Sequence, residues 1–327
     1  MRYLLRKLGF YAIAAWLAVT LNFALPRLIP GDPVEIILSR MQQQGPVPPG
    51  EHDAVARMLG LGHGNILAQY WDYLVSVSQL HFGLSISYFP TPVTTVLRGC
   101  VLWTLLLVGT ATLISVVLGI GLGTLAGWKR GTWLDNLVPV TTFLTAIPYF
   151  WLALLLLYLL TQVTQVFPQS GGYSPDTFIG WNGAFIGSAF THALLPAITI
   201  VLSSVGGWLL GMRNMMVSTL SEDYVAAAEA KGLRARTVMI GYAARNAVLP
   251  SVAGFAISLG FIVSGSLVME IVFSYPGMGF TLLNAVGNND YPLMQAVFLV
   301  ITMAVLAANF LVDMVYGFVD PRTRQAR

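Results

Sequence analysis

The sequence predicts an all-α integral membrane protein with six transmembrane helices, and three observations carry that expectation. Apolar residues make up 56% of the 327 positions and charged residues 9%, with a mean hydropathy of +0.72; a soluble domain is roughly half apolar and about a quarter charged. Six apolar runs, at about 8–28, 100–127, 134–166, 190–217, 247–273 and 292–319, each reach the ~20 residues that cross a bilayer. The basic residues, finally, sort onto one side of those runs. Two soluble domains would suit the length, but one helical bundle is the simpler reading.

The first run begins like a signal peptide, with Arg2, Arg6 and Lys7 ahead of Leu8–Leu25. Ala24-Leu25-Pro26-Arg27 is a poor cleavage site, so the run is expected to be retained as helix one, residues 1–28. A long segment follows, 29–98, with helix-like pieces around Asp53–Leu61 and Ile66–Leu80 and a flexible-looking stretch at Gln42–Gly50. It is expected to form a small folded element outside the bilayer. Residues 99–319 hold the other five helices, and 320–327 form a tail. The third and fourth runs exceed a bilayer thickness, and are expected to tilt, to kink at Pro148 or Pro196, or to extend beyond the lipid.

An even number of spans puts both termini on one side. That side collects Arg2, Arg6, Lys7, Lys129, Arg130, Arg213, Lys231, Arg234, Arg236, Arg245, Arg322, Arg324 and Arg327, against Arg27, Arg40, Arg57 and Arg98 on the other. The excess predicts cytoplasmic termini. It also accounts for the net charge of +3 and pI near 9.0 through membrane topology, with no nucleic-acid partner.

The sequence offers few marks of chemistry. No Gly-x-x-x-x-Gly-Lys-Ser/Thr pattern occurs, so no ATP-binding loop of that kind is expected and the energy must come from another subunit or an ion gradient. The stretch GIGLGTLAG, from Gly119 to Gly127, superficially resembles a dinucleotide loop. It lies inside a span with no preceding strand, and Gly119, Gly123 and Gly127 repeat at four-residue spacing, the pattern of close helix packing. His52, His63, His81 and His192 are dispersed and Cys100 is the single cysteine, so no metal site and no disulfide are expected. No nucleophile elbow marks a hydrolase. Glu270 and Asp313 adjoin or enter apolar runs, where a carboxylate is costly; either is an interface-level hydrogen-bond acceptor or a gate or substrate contact. The middles of the spans are otherwise almost free of charge, which disfavours an ion-driven carrier or channel working alone.

Between the fourth and fifth runs lies Asp223-Tyr224-Val225-Ala226-Ala227-Ala228-Glu229-Ala230-Lys231-Gly232-Leu233. Its alanines, Glu229 and Lys231 favour a helix and Gly232 a stop. A second helical pattern runs from Leu233 to Asn246, so that 221–246 makes a compact knob. With Leu249-Pro250 after it, this stretch closely resembles the coupling loop of binding-protein-dependent ABC-importer permeases, the B-type subunit of dipeptide, oligopeptide and nickel importers. Other stretches match in order: Pro30-Gly31-Asp32-Pro33, Leu59-Gly60-Leu61 with Gln69-Tyr70, Phe82-Gly83-Leu84-Ser85 with Pro92-Val93, Ile147-Pro148-Tyr149-Phe150-Trp151 and Leu194-Leu195-Pro196-Ala197. Then come Glu270-Ile271-Val272-Phe273 with Pro276-Gly277-Met278-Gly279, Asp290-Tyr291-Pro292 with Gln295, and Asp320-Pro321-Arg322-Thr323-Arg324.

The resemblance implies a type I importer permease fold in the inner membrane of a prokaryote. It implies a second homologous permease chain, two ATPase subunits holding ATP and Mg, an extracytoplasmic substrate-binding protein, and no catalysis or cofactor in this chain. The ATPase would dock on Asp223, Tyr224, Ala228, Ala230, Lys231, Gly232, Leu233 and Arg234, an arrangement that calls for tight packing at Gly232. Where the wider family has Glu-Ala-Ala ahead of the glycine, this chain has Ala226-Ala227-Ala228, which fits the peptide branch and leaves Lys231 and Arg234 to supply charge contacts. Glu270, Phe273, Pro276, Gly277 and Gly279 would form an outer gate or binding-protein contact, the alternative being a simple tight turn. Oligopeptides lead as cargo. Ser170-Gly171-Gly172-Tyr173 and Trp208–Met216 resemble oligosaccharide-carrying relatives and keep that cargo open, with nickel a lesser alternative.

Overall fold

The computed structural model describes residues 2–28, 34–35, 38–39, 42, 51–58, 65–252, 254–255, 257–258 and 267–319. Pro30–Pro33, most of Gln42–Gly50, Leu59–Leu61, the middle of the fifth run and Asp320–Arg324 lie outside the described residues. The elements are helices: α1 Arg2–Leu28, α2 Glu51–Met58, α3 Ile66–Ser78, α4 Val93–Trp128, α5 Leu137–Ala146, α6 Tyr149–Leu157, α7 Gly183–Thr219, α8 Asp223–Ala230, α9 Leu267–Val272, α10 Met278–Gly287 and α11 Tyr291–Val319. Among the described residues, α1, α4, α7 and α11 are each long and apolar enough to cross a membrane.

The third run is a broken one. A 3-10 turn, Trp133–Asn136, leads into α5, and the chain bends by 95° before α6 and its π-helical end, Tyr158–Val163. The cause is local: Pro148 has no N–H to continue the helix and forces the residue before it out of the α region, and Ile147 is extended at ψ 129°. Pro196 behaves differently, since α7 runs through it unbroken for 37 residues. With roughly 1.5 Å of rise per residue α7 is about 55 Å long, well beyond the ~30 Å hydrocarbon core. Its length thus exceeds a bilayer thickness, as the sequence predicts, and the helix does not end at Pro196. Leu195, Pro196 and Thr199 are buried, and that packing holds the helix across a missing hydrogen bond.

Where the sequence favoured a single bundle, the chain divides into two compact units, Thr104–Tyr275 and the pair Met1–Trp103 with Pro276–Arg327. In the first, a Cβ on Gly119, Gly123 or Gly127 would collide with Trp208, with Leu209 and Met212, or with Met216. The repeat is thus the contact face between α4 and α7, as small-residue spacing in a span predicts, and not a nucleotide loop. Ser115 and Ser204 share a hydrogen bond of 2.8 Å across the same pair of helices. Near the far end of α7, Arg213 grips Asp135 at 2.8 Å and Arg130 donates to the carbonyl of Val217 at 2.9 Å.

In the other unit α1 packs along α11. Asp313 accepts from Lys7 at 2.6 Å and from Tyr11 at 2.7 Å, so this carboxylate is a hydrogen-bond acceptor within the chain, paired with a cation that the sequence does not assign to it. Asn22 and Gln295 exchange hydrogen bonds with each other's backbone carbonyls at 2.7 and 2.8 Å. Asn22 also donates to the Tyr73 hydroxyl at 3.2 Å, and Thr20 meets the Tyr70 hydroxyl at 2.7 Å. Phe23 packs against both tyrosine rings. Burial pushes the Tyr73 hydroxyl up, against the opposing hydrogen bond from Asn22. Helices α2 and α3 fall where the 29–98 segment was expected to be helical, and Val34, Val55, Ala56 and Tyr291 form a buried cluster.

Candidate functional site

Past Thr219 the chain turns through Ser221 and Glu222 into α8. Asp223 sits in its first turn, where a negative charge suits the helix dipole. The helix ends as its composition predicts: the N–H of Gly232 donates to Glu229 at 2.9 Å, and Gly232 adopts φ +72°. A residue with a Cβ pays about 1–2 kcal/mol there. The second limb consists of Ala235–Thr237, a π-helical turn Val238–Ala244 and Arg245–Ala247.

The two limbs share a core. Val225, Ala228 and Val238 are buried together against Trp128 and Leu220, and Met212 and Met216 of α7 pack with Ala243 and Ala247. Asn246 donates to the Tyr224 hydroxyl at 2.9 Å and ties the limbs at the surface. Of the residues singled out in the sequence, Ala228 is inside this core at 3% exposure. Asp223, Tyr224, Ala230, Lys231, Gly232, Leu233 and Arg234 are exposed. A Cβ on Gly232 meets nothing within 4 Å, so no described part of this chain supplies the tight packing expected at that turn. The result is a rigid knob whose inner face is filled by its own chain and whose outer face is open and carries both signs of charge.

The second set of sequence candidates is placed differently. Glu270 is fully buried and accepts from the Thr104 hydroxyl at 2.7 Å. Phe273 is buried, and its carbonyl accepts from the N–H of Gly171 at 2.9 Å. Helix α9 closes with Ser274 donating to Ile271 at 3.1 Å and Tyr275 to Glu270 at 2.8 Å, with Ser274 at φ 50°; this is a Schellman end with serine in the left-handed position. Gly277 precedes α10 in an extended conformation. Gly277 and Gly279 are buried and Pro276 is half-buried.

One residue that sequence reasoning left without a role is Asp290. It is fully buried; its Oδ2 accepts from the Ser85 hydroxyl at 2.5 Å and the Ser87 N–H at 2.8 Å, and its Oδ1 accepts from the Leu293 N–H at 3.2 Å. It caps α11 and fastens the 82–92 loop to it. An aspartate just ahead of Tyr-Pro and a long apolar run was the available signal for the cap. Nothing local pointed to Ser85.

Comparison with known proteins adds the family. The model described as "binding-protein-dependent transport system inner membrane component" matches residues 119–325, a span that includes the knob. The dipeptide transport system permease protein of Escherichia coli (strain K12) is 32% identical, over 100% of both chains. The di/tripeptide transport system permease protein of Pseudomonas aeruginosa (strain UCBPP-PA14) is 31% identical over 99% of both. The oligopeptide transport system permease protein of Bacillus subtilis (strain 168) is 28% identical over 98% of both.

Proposed function

Since the chain belongs to the family of binding-protein-dependent transport system inner membrane components, we propose that it is the B-type permease subunit of an ATP-driven peptide importer. It is a multi-pass membrane protein that works with other transporter components. In the proposed assembly it pairs with a second homologous permease chain. Two ATPase subunits, with their ATP and Mg, dock on the side of the termini, and an extracytoplasmic binding protein delivers cargo from the other. The chain itself contributes no ATPase site and no cofactor. Both termini are cytoplasmic, in keeping with the basic excess on that side, in a prokaryotic inner membrane.

The observation that carries the mechanism is the knob. A helix with one face packed on its own chain and the other exposed transmits force as a body, because its core leaves it little room to yield. Closure of the ATPases against α8 and the Gly232 turn would be passed to α7 through Met212 and Met216, and the spans would rock without new bonding. Oligopeptides are preferred over oligosaccharides as cargo because the relatives similar along their whole length are named for peptides. The outer stretch from Glu270 to Gly279 serves as a packed anchor for any gate that moves there.

Gly232→Glu tests the docking. The variant is expected to insert at the parent level and to lose ATP-dependent peptide uptake. Normal uptake with normal recruitment of the ATPase subunits would end the docking role.

A further inference from the structure

Within the Thr104–Tyr275 unit a cavity of about 530 Å³ lies beside the Pro148 break, inside the roughly 300–1,000 Å³ range of small-molecule sites. Its origin is geometric. Gly206 brings α7 so close to α5 that a Cβ there would strike the Thr141 carbonyl. Further along, the chain bends away by 95° while α7 continues unbroken, and a space is left between them.

Thr112, Thr145, Tyr149, Ser203, Ser204, Trp208 and Ser258 supply its polar and aromatic lining, and no Asp, Glu, Lys, Arg or His is among the described lining residues. Four of the hydroxyl protons are already committed. Thr145 donates to Thr142 at 2.8 Å, Ser203 and Ser204 to Ile200 at 2.9 and 2.7 Å, and Ser258 to Phe255 at 2.8 Å. Each of these four hydroxyl oxygens keeps acceptor capacity, so the surface offers a group of neutral acceptors, beside the neutral donors of Tyr149, Trp208 and Thr112. The amide N–H of a peptide is the neutral donor that such a surface matches, and it recurs along any peptide whatever the side chains. A charged lining would instead hold one class of side chain and repel another. A path must also bind weakly enough to release its cargo, which neutral hydrogen bonds permit.

We propose that this cavity is a cargo subsite within the chain, reading the backbone N–H groups of a short peptide irrespective of side-chain charge. This rests on the peptide-importer reading. The test uses the whole transporter, purified with its own partner subunits and reconstituted with its binding protein, and compares Ala-Ala-Ala, Lys-Ala-Ala and Glu-Ala-Ala with maltotriose. The parent should import the three peptides and not the sugar. Ser203→Val should lower uptake of all three about tenfold, with the melting temperature and the co-purified ATPase subunits unchanged. In Ser203→Cys, Ala-Ala-Ala should slow maleimide labelling at least fivefold during turnover. That second readout decides the matter if the valine variant does not assemble.

Uptake within twofold of the parent in Ser203→Val, loss confined to one charge class, or labelling indifferent to Ala-Ala-Ala would overturn the subsite alone. A parent that imports maltotriose and no peptide would overturn the functional reading and the subsite with it.

Discussion

The knob around Gly232 and the stretch from Glu270 to Gly279 are both recognisable by sequence, yet the fold uses them in opposite ways. The knob buries Val225, Ala228 and Val238 and leaves the rest of its signature on the surface. The 270–279 stretch buries Glu270, Phe273, Gly277 and Gly279. A recognisable stretch is therefore not one kind of thing: one keeps most of its residues exposed, as the proposed docking requires, and the other keeps most of its residues packed. The two are separable by experiment, because surface changes should alter transport without stability and changes in the packed stretch should alter stability first.

The largest effect is expected in the packed stretch. Phe273→Ala opens a cavity in a buried site and should cost about 3–5 kcal/mol, read as a lowered melting temperature and reduced yield of the detergent-extracted protein. A melting temperature equal to the parent's would mean that the stretch is not packed as described. Next, Ala228→Leu overfills the knob's core at about 1–3 kcal/mol, and should lower both the melting temperature and uptake; a neutral result would place Ala228 on the outer face after all. Tyr224→Phe removes one hydrogen bond, that from Asn246, for about 0.5–1.5 kcal/mol, and the expected readout is faster protease cleavage between the limbs. The smallest stability effect belongs to Lys231→Ala, within about 0.5 kcal/mol as for ordinary surface changes, with a clear fall in ATP-dependent uptake. Unchanged uptake there would remove the charge contact assigned to Lys231.

The sequence made much of this legible. Long uncharged runs announce α1, α4, α7 and α11 because a bilayer leaves a helix no substitute for apolar length. Gly119, Gly123 and Gly127 declared a packing face by spacing alone, and Gly232 declared a helix end. Less visible was the contrast between two prolines. Pro148 ends α5 and Pro196 lies silent inside α7, because whether a helix survives a proline depends on what packs around it. Which way Ala228 points among its neighbouring alanines could not be read from composition, since alanine suits either face. The hydrogen bond from Ser85 to Asp290 joins residues 205 positions apart, and the pairing of two short motifs leaves no periodic trace.

The central claim, that the exposed face of α8 and the Gly232 turn is an ATPase dock, is tested most directly by contact. Ala230→Cys, made with the buried Cys100 replaced by serine, would carry a photoactivatable benzophenone in the assembled transporter. The account predicts a covalent product between this chain and an ATPase subunit, with a yield that changes on adding ATP. A variant that labels fully and imports normally, yet yields no such product with or without ATP, would contradict it.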